Sequence, residues 1–194
     1  HYYNPNWGYQ NGQVRSSVVS HSTQPIFILE HDWRIDETSS LLTSVGVNIG
    51  TSRVSGLDWY HAADPRPDYY RNLPSFDPNY GEDPAMYAVY SQEVRSELEN
   101  NDTLRQILWD RLYEANYMND TTFNGVNGKW AKYILGERVT NTKRYYINTS
   151  YNKVITDHMT FQGGMSYQFQ MSDNYRQVAD LLGANFYVDL NQFG

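Results

Sequence analysis

The chain has no cysteine among its 194 residues, which excludes a disulfide framework, thiolate metal sites and cysteine nucleophiles together. That absence fits a compartment in which stray thiols are oxidised. Long apolar runs are missing too, and the mean hydropathy is −0.71, so no transmembrane helix is encoded. Basic residues are outnumbered, 15 against 22 acids, giving a net charge of −7 and a pI near 5.1. Such a balance argues against a phosphate-binding surface, and nucleic acid is not expected as a partner. The chain opens on His1 without a charged segment leading into an apolar one. The expectation is an internal piece of a larger protein, or a mature product.

Catalytic constellations are also lacking. His1, His21, His31, His61 and His158 are scattered, with no HExxH or paired ligand spacing. Gly164-Met165-Ser166-Tyr167 lacks the second glycine of a nucleophile elbow and lies within a strand pattern. No glycine-rich phosphate loop occurs. No catalytic residue and no cofactor are assigned, and an enzyme is not expected. Asp77-Pro78-Asn79-Tyr80-Gly81-Glu82-Asp83 offers spaced oxygen ligands for calcium but departs from the EF-hand pattern. An acidic turn running into a helix cap accounts for it, so no metal ligand is assigned.

What the chain has is alternation and tyrosine. Four segments alternate with period two, the mark of strands with unlike faces. In Pro25 to Ile35 one face carries Phe27, Leu29, His31, Trp33 and Ile35; in Leu41 to Arg53 it carries Leu41, Thr43, Val45, Val47 and Ile49. Arg144 to Ile155 sets Tyr145, Ile147, Thr149 and Tyr151 against Tyr146, Asn148, Ser150 and Asn152. Met159 to Met171 is the cleanest, with Met159, Phe161, Met165, Tyr167 and Phe169 opposed by Thr160, Gln162, Ser166, Gln168 and Gln170. A slip of one residue would turn every glutamine onto the apolar face, so the register is strongly specified.

Short links join the strands within each pair, near Asp36-Glu37-Thr38-Ser39 and Thr156-Asp157-His158. Between the pairs lies a long excursion over 54–129. It holds thirteen acids and six bases, so the whole charge excess falls within it. Asp83-Pro84 predicts a helix start, with Met86, Val89, Tyr90, Val94 and Leu98 at helical spacing. A second helical run, Leu104, Ile107, Leu108 and Leu112, follows Asn101-Asp102. The flanks are rich in turns and aromatics.

Two architectures share this pattern. One is an outer-membrane β-barrel, with apolar positions to lipid, polar ones to the lumen, and short and long links alternating. Glycines such as Gly46, Gly50 and Gly164 on the polar face would then suit a lumen crowded by a plug. The other is a soluble β-rich module that binds carbohydrate or protein through its aromatic loop. On pattern alone the two are even.

The segments NPNWGYQNGQVR, QPIFILEHDWRID, LDWYHAADPRPDYYRNLP, ILWDRLYEANY, AKYILGERV and DLLGANFYVDLNQF occur in that order over nearly the whole chain. In that order they resemble the TonB-dependent outer-membrane receptors of Bacteroidota, Gram-negative bacteria. The resemblance implies an all-β chain, residues 1–194 forming part of one transmembrane antiparallel barrel of about 22 strands. It would comprise about four strands in two hairpins with short periplasmic turns, and a partly helical extracellular loop over 54–129. The function implied is import of a bulky nutrient, whether siderophore, cobalamin or oligosaccharide. The implied partners are that ligand, outer-membrane lipid, and a TonB complex acting through a plug region outside this chain. A surface lipoprotein is a further partner the family admits.

Ligand contact on the loop is assigned to Trp59, Tyr60, Asp64, Arg66, Asp68, Tyr69 and Tyr70. Trp109 and Tyr113 are further loop aromatics that could stack on a ring, although packing of the loop on itself is the favoured use of these side chains. Trp33, Tyr145 and Tyr151 read as girdle residues. Pro65 and Pro67 bias Asp64 and Arg66 to extended backbone, giving a preorganised segment whatever it contacts.

Overall fold

A computed structural model describes residues 5–59, 62–78 and 81–189. In chain order the elements are β1 (Trp7–Gln10), β2 (Gln13–Ser16), β3 (Ser20–Thr23), β4 (Ile26–Arg34), β5 (Ser39–Trp59), α1 (Pro84–Asn100), α2 (Trp109–Tyr117), β6 (Asp120–Phe123), β7 (Val126–Lys129), β8 (Tyr133–Thr156) and β9 (Met159–Asp180), with 3-10 turns at Tyr70–Asn72 and Asp102–Arg105. The chain is mostly β with antiparallel sheets. It divides into two compact units: a lobe from His1–Val19, Ser55–Glu137 and Gln177–Gly194, and a sheet unit from Ser20–Val54 and Arg138–Arg176.

In the sheet unit β3 and β4 both pair with β5 in one register, Ser20 opposite Val54 and Ile26 opposite Asn48. They form one strand line interrupted at Gln24-Pro25, since proline has no N–H for a ladder and is tolerated on an edge. Asn48 closes the interruption, its Nδ2 donating to the Pro25 carbonyl at 3.0 Å. Next in order come β8 and β9. Thr43 meets Thr149, Thr51 donates to Asn141 and the Val154 N–H reaches the Thr38 carbonyl, so partner numbers fall as the others rise and β5 and β8 are antiparallel. The β8–β9 hairpin, linked by Asp157-His158, carries Ser166 to Asn148 and Thr140 to Asn174. The other tight link holds Asp36, whose carboxyl accepts from the hydroxyl and N–H of Thr38 and titrates at about 2.

Directly opposed residues share a face, and these pairs join odd numbers to odd and even to even. Phe27 lies opposite Val47, Leu29 opposite Val45 and Trp33 opposite Leu41, while the rings of Tyr151 and Phe161 stand 6.4 Å apart. Most of the large apolar side chains of the four strand lines therefore fall on one face, while Ile26, Ile28, Leu42 and Val154 stand on the other. The apolar face is bare: Leu29 is 75% exposed, Phe27 68%, Met165 67% and Tyr167 62%. Among the described residues nothing lays a second layer over it.

The opposite face is the more polar one, above all along β9, and its glycines have neighbours within the sheet. A Cβ on Gly46 would lie 1.9 Å from the Tyr146 ring, which covers the glycine from the adjacent strand. On Gly50 it would meet Gln24, and on Gly164 the Thr149 carbonyl. In-sheet neighbours thus occupy the space beside these glycines.

Strands run further than the alternation suggests: β5 continues to Trp59 and β8 begins at Tyr133, so the connection between them is 60–132. The extensions were hidden because Val54–Trp59 and Tyr133–Lys143 do not alternate cleanly. Inside the connection α1 starts as expected, Asp83 accepting from the N–H groups of Ala85 and Met86. The second helical run splits into a 3-10 turn and α2, because Gln106 and Leu108 leave helical backbone. Two hairpins, β1–β2 and β6–β7, turn at Asn11-Gly12 and Asn124-Gly125, all four residues at positive φ as this turn type requires.

The lobe has its own core of Ile107, Trp109, Leu112, Tyr133 and Leu182, with Leu57, Trp59 and Leu135 packed against it. Gly8 admits the Ile107 carbonyl, which would stand 1.9 Å from any Cβ there, and the Ile107 N–H donates to Trp7. At the centre Asn116 is fully buried. Its Nδ2 donates to the carbonyls of Tyr133, Leu181 and Leu182, and its Oδ1 accepts from the N–H groups of Lys132 and Tyr133, at 2.8–3.1 Å. Asn116→Ala strands those backbone groups without water. It is expected to destabilise the lobe by about 3 kcal/mol in chemical denaturation followed by tryptophan fluorescence. A loss under about 1 kcal/mol would show that the amide is dispensable.

Candidate functional site

The lobe holds a cleft of about 500 Å³, within the range of small-ligand sites. One wall is the Asp64-Pro65-Arg66-Pro67 segment, and α1 and α2 supply the others. Helical spacing explains the lining: Val94 and Leu98 follow one another on α1, while Leu108, Leu112 and Ala115 do so at α2. Leu98 and Leu112 are buried beneath it. Arg66, Arg71, Arg111 and Glu97 bring charge to its edges.

Asp64 and Arg66 form a closed clamp. The Asp64 carboxylate accepts from the Arg66 backbone N–H at 3.0 Å and from its guanidinium at 2.6–3.2 Å. This hydrogen bond raises the Arg66 pKa against a smaller opposing effect of burial. The guanidinium also lies 5.2 Å from the Trp59 ring, a cation–π distance. Tyr133 seats the segment, donating its hydroxyl to the Ala63 carbonyl at 2.8 Å. Burial first, and then the Asp64 charge, pushes the Tyr133 phenol up.

The residues assigned from sequence separate into groups. Asp64 and Arg66 line the cleft. Trp59 packs against the core and under Arg66. Asp68 is exposed and is not among the lining residues. Tyr69 and Tyr70 pack edge to face at 4.8 Å, Tyr70 does so with Phe76 at 5.7 Å, and Arg71 donates to the Tyr70 hydroxyl, lowering its pKa. Tyr60 lies outside the described residues. Trp109 is fully buried, packed within the lobe rather than open to a ligand, and its indole N–H donates to the Arg15 carbonyl.

Two features were missed. Arg111 sits one turn from the Leu108/Leu112 stripe, and that spacing marks it as a helix residue flanking an apolar face. Arg15 carries no local signal in the sequence. Its guanidinium stands 4.3 Å from the Trp109 ring and donates to Gln10, to the Tyr113 hydroxyl and, at 2.7 Å, to Asp180. Tyr113 donates in turn to Asp180. Burial opposes both charges, but the hydrogen bonds outweigh it, so the Arg15 pKa rises and that of Asp180 falls. No protein-family model matches the chain, and no curated protein matches it.

Arg66→Ala removes the ring contact and the clamp together, both partly solvated. The expected cost is about 1 kcal/mol of lobe stability by chemical denaturation. A change indistinguishable from zero would mean that Arg66 has no part in holding the segment.

Proposed function

We propose that this chain is part of a TonB-dependent importer in the outer membrane of a Gram-negative bacterium, a non-enzymatic piece of barrel wall and ligand-capturing loop. The observation that carries this reading is the bare apolar face of the sheet unit. A soluble sheet buries such a face against a second layer, because exposed apolar patches of this extent are rare on monomers. Here large side chains such as Phe27, Leu29, Met165 and Tyr167 stand open on a single layer. Lipid is the solvent that suits them.

Dimensions agree. Met159 to Met171, at about 3.3 Å per residue and a tilt near 40°, covers about 30 Å along the membrane normal, the thickness of the hydrocarbon core. In this reading the links after β4 and β8 are periplasmic turns and the connection 60–132 is the extracellular loop. Trp33, Tyr145 and Tyr151 take girdle positions. Energy would come from a TonB complex through a plug region outside this chain, and the cargo would be a bulky nutrient such as a siderophore, cobalamin or an oligosaccharide.

Four strand lines leave two open edges as well as the apolar face. Expressed alone, the chain is expected to aggregate in plain buffer and to become monodisperse only with detergent, as read by size exclusion with light scattering. A monodisperse monomer that melts cooperatively without detergent would overturn the proposal and favour a soluble binding module.

A further inference from the structure

We infer that the cleft in the lobe is a binding site for a small organic anion with an apolar body, and that Arg111 is the residue that takes its charge. The inference goes beyond the importer reading, since it stands on the lobe alone. The floor of the cleft is hydrocarbon from Val94, Leu98, Leu108 and Leu112. Such a surface favours an aliphatic or aromatic body, by roughly 25 cal/mol for each Å² buried.

Charge at the rim selects among apolar ligands. Asp64 and Arg66 cancel one another through their clamp. Arg111 lies on the first turn of α2, lines the cleft, and makes no ion pair or side-chain hydrogen bond with any described residue. Its guanidinium can present a planar fork to a carboxylate. Glu97 is the opposing charge, and Arg71, which also lines the cleft, is engaged with the hydroxyl and ring of Tyr70, so Arg111 is the cation that meets a ligand. An anionic head is therefore favoured over a neutral or cationic one. The volume of about 500 Å³ accommodates a bicyclic ring with one acidic substituent.

The test compares 2-naphthoate with its neutral isostere 2-naphthamide, titrated by saturation-transfer NMR against the full chain in detergent. Wild type is expected to bind the acid saturably at one site and the amide at least tenfold more weakly, the worth of one charge-assisted hydrogen bond. Arg111→Gln should bring the acid down to the level of the amide and leave the amide unchanged. Leu104→Trp, which narrows the cleft without altering charge, should weaken both, with near-ultraviolet circular dichroism of the buried Trp109 showing that the lobe remains folded. Equal binding of acid and amide, an Arg111→Gln variant that binds the acid as wild type does, or no saturable binding of either compound would overturn the assignment. Each outcome is independent of whether the chain needs detergent, so this inference and the importer reading can fail separately.

Discussion

Register is the constraint on which the sheet depends. Pairing fixes odd positions against odd positions across four strand lines, so most of the large apolar side chains gather on one side, and among the described residues no core collects them. The Ser166–Asn148 and Thr140–Asn174 hydrogen bonds hold that register from the polar side, while Tyr146 over Gly46 adds a ring-to-glycine fit that a shifted pairing would lose. In a protein stabilised by a buried core, packing sets the register. Here hydrogen bonds and cross-strand shape do so.

The lobe is organised on the opposite principle. Its core is small, and polar groups define its geometry: Asn116 ties α2 to 132–133 and 181–182, and Arg15 joins the β1–β2 hairpin to Trp109, Tyr113 and Asp180. Asn116 is the high-stakes one, since its buried donors and acceptors are satisfied only while the others stay in place, whereas the Arg15 cluster is partly open to solvent. The cleft inherits its shape from them, because α2 contributes one wall and the Tyr133–Ala63 hydrogen bond seats the other.

Much of the sheet was legible in the sequence because period-two alternation is a local signal. Met159 to Met171 could be read from its own residues, and so could the helix start at Asp83-Pro84. The lobe was far less legible. Nothing local in Asn116 announces that five backbone groups converge on it, and Arg15 and Asp180 are 165 residues apart. Self-packing of Trp109 could be expected from sequence, but not its partner, since the Arg15 that covers its ring is 94 residues away. Of the assigned ligand residues, Asp64 and Arg66 reach the cleft because two prolines fix their backbone. Tyr69 and Tyr70, only a few residues later, pack on each other instead.

The central claim is that the odd-numbered face of the sheet is solvated by lipid. A chain without cysteine permits single-cysteine variants at each position from Phe161 to Phe169, labelled with a polarity-sensitive fluorophore in lipid nanodiscs or outer-membrane vesicles. The account predicts an alternation along β9. Labels at 161, 165, 167 and 169 should emit to the blue and be quenched by brominated lipid, while labels at 162, 166 and 168 should be quenched by aqueous iodide. A uniform response along the strand, or iodide quenching at the odd positions, would contradict it.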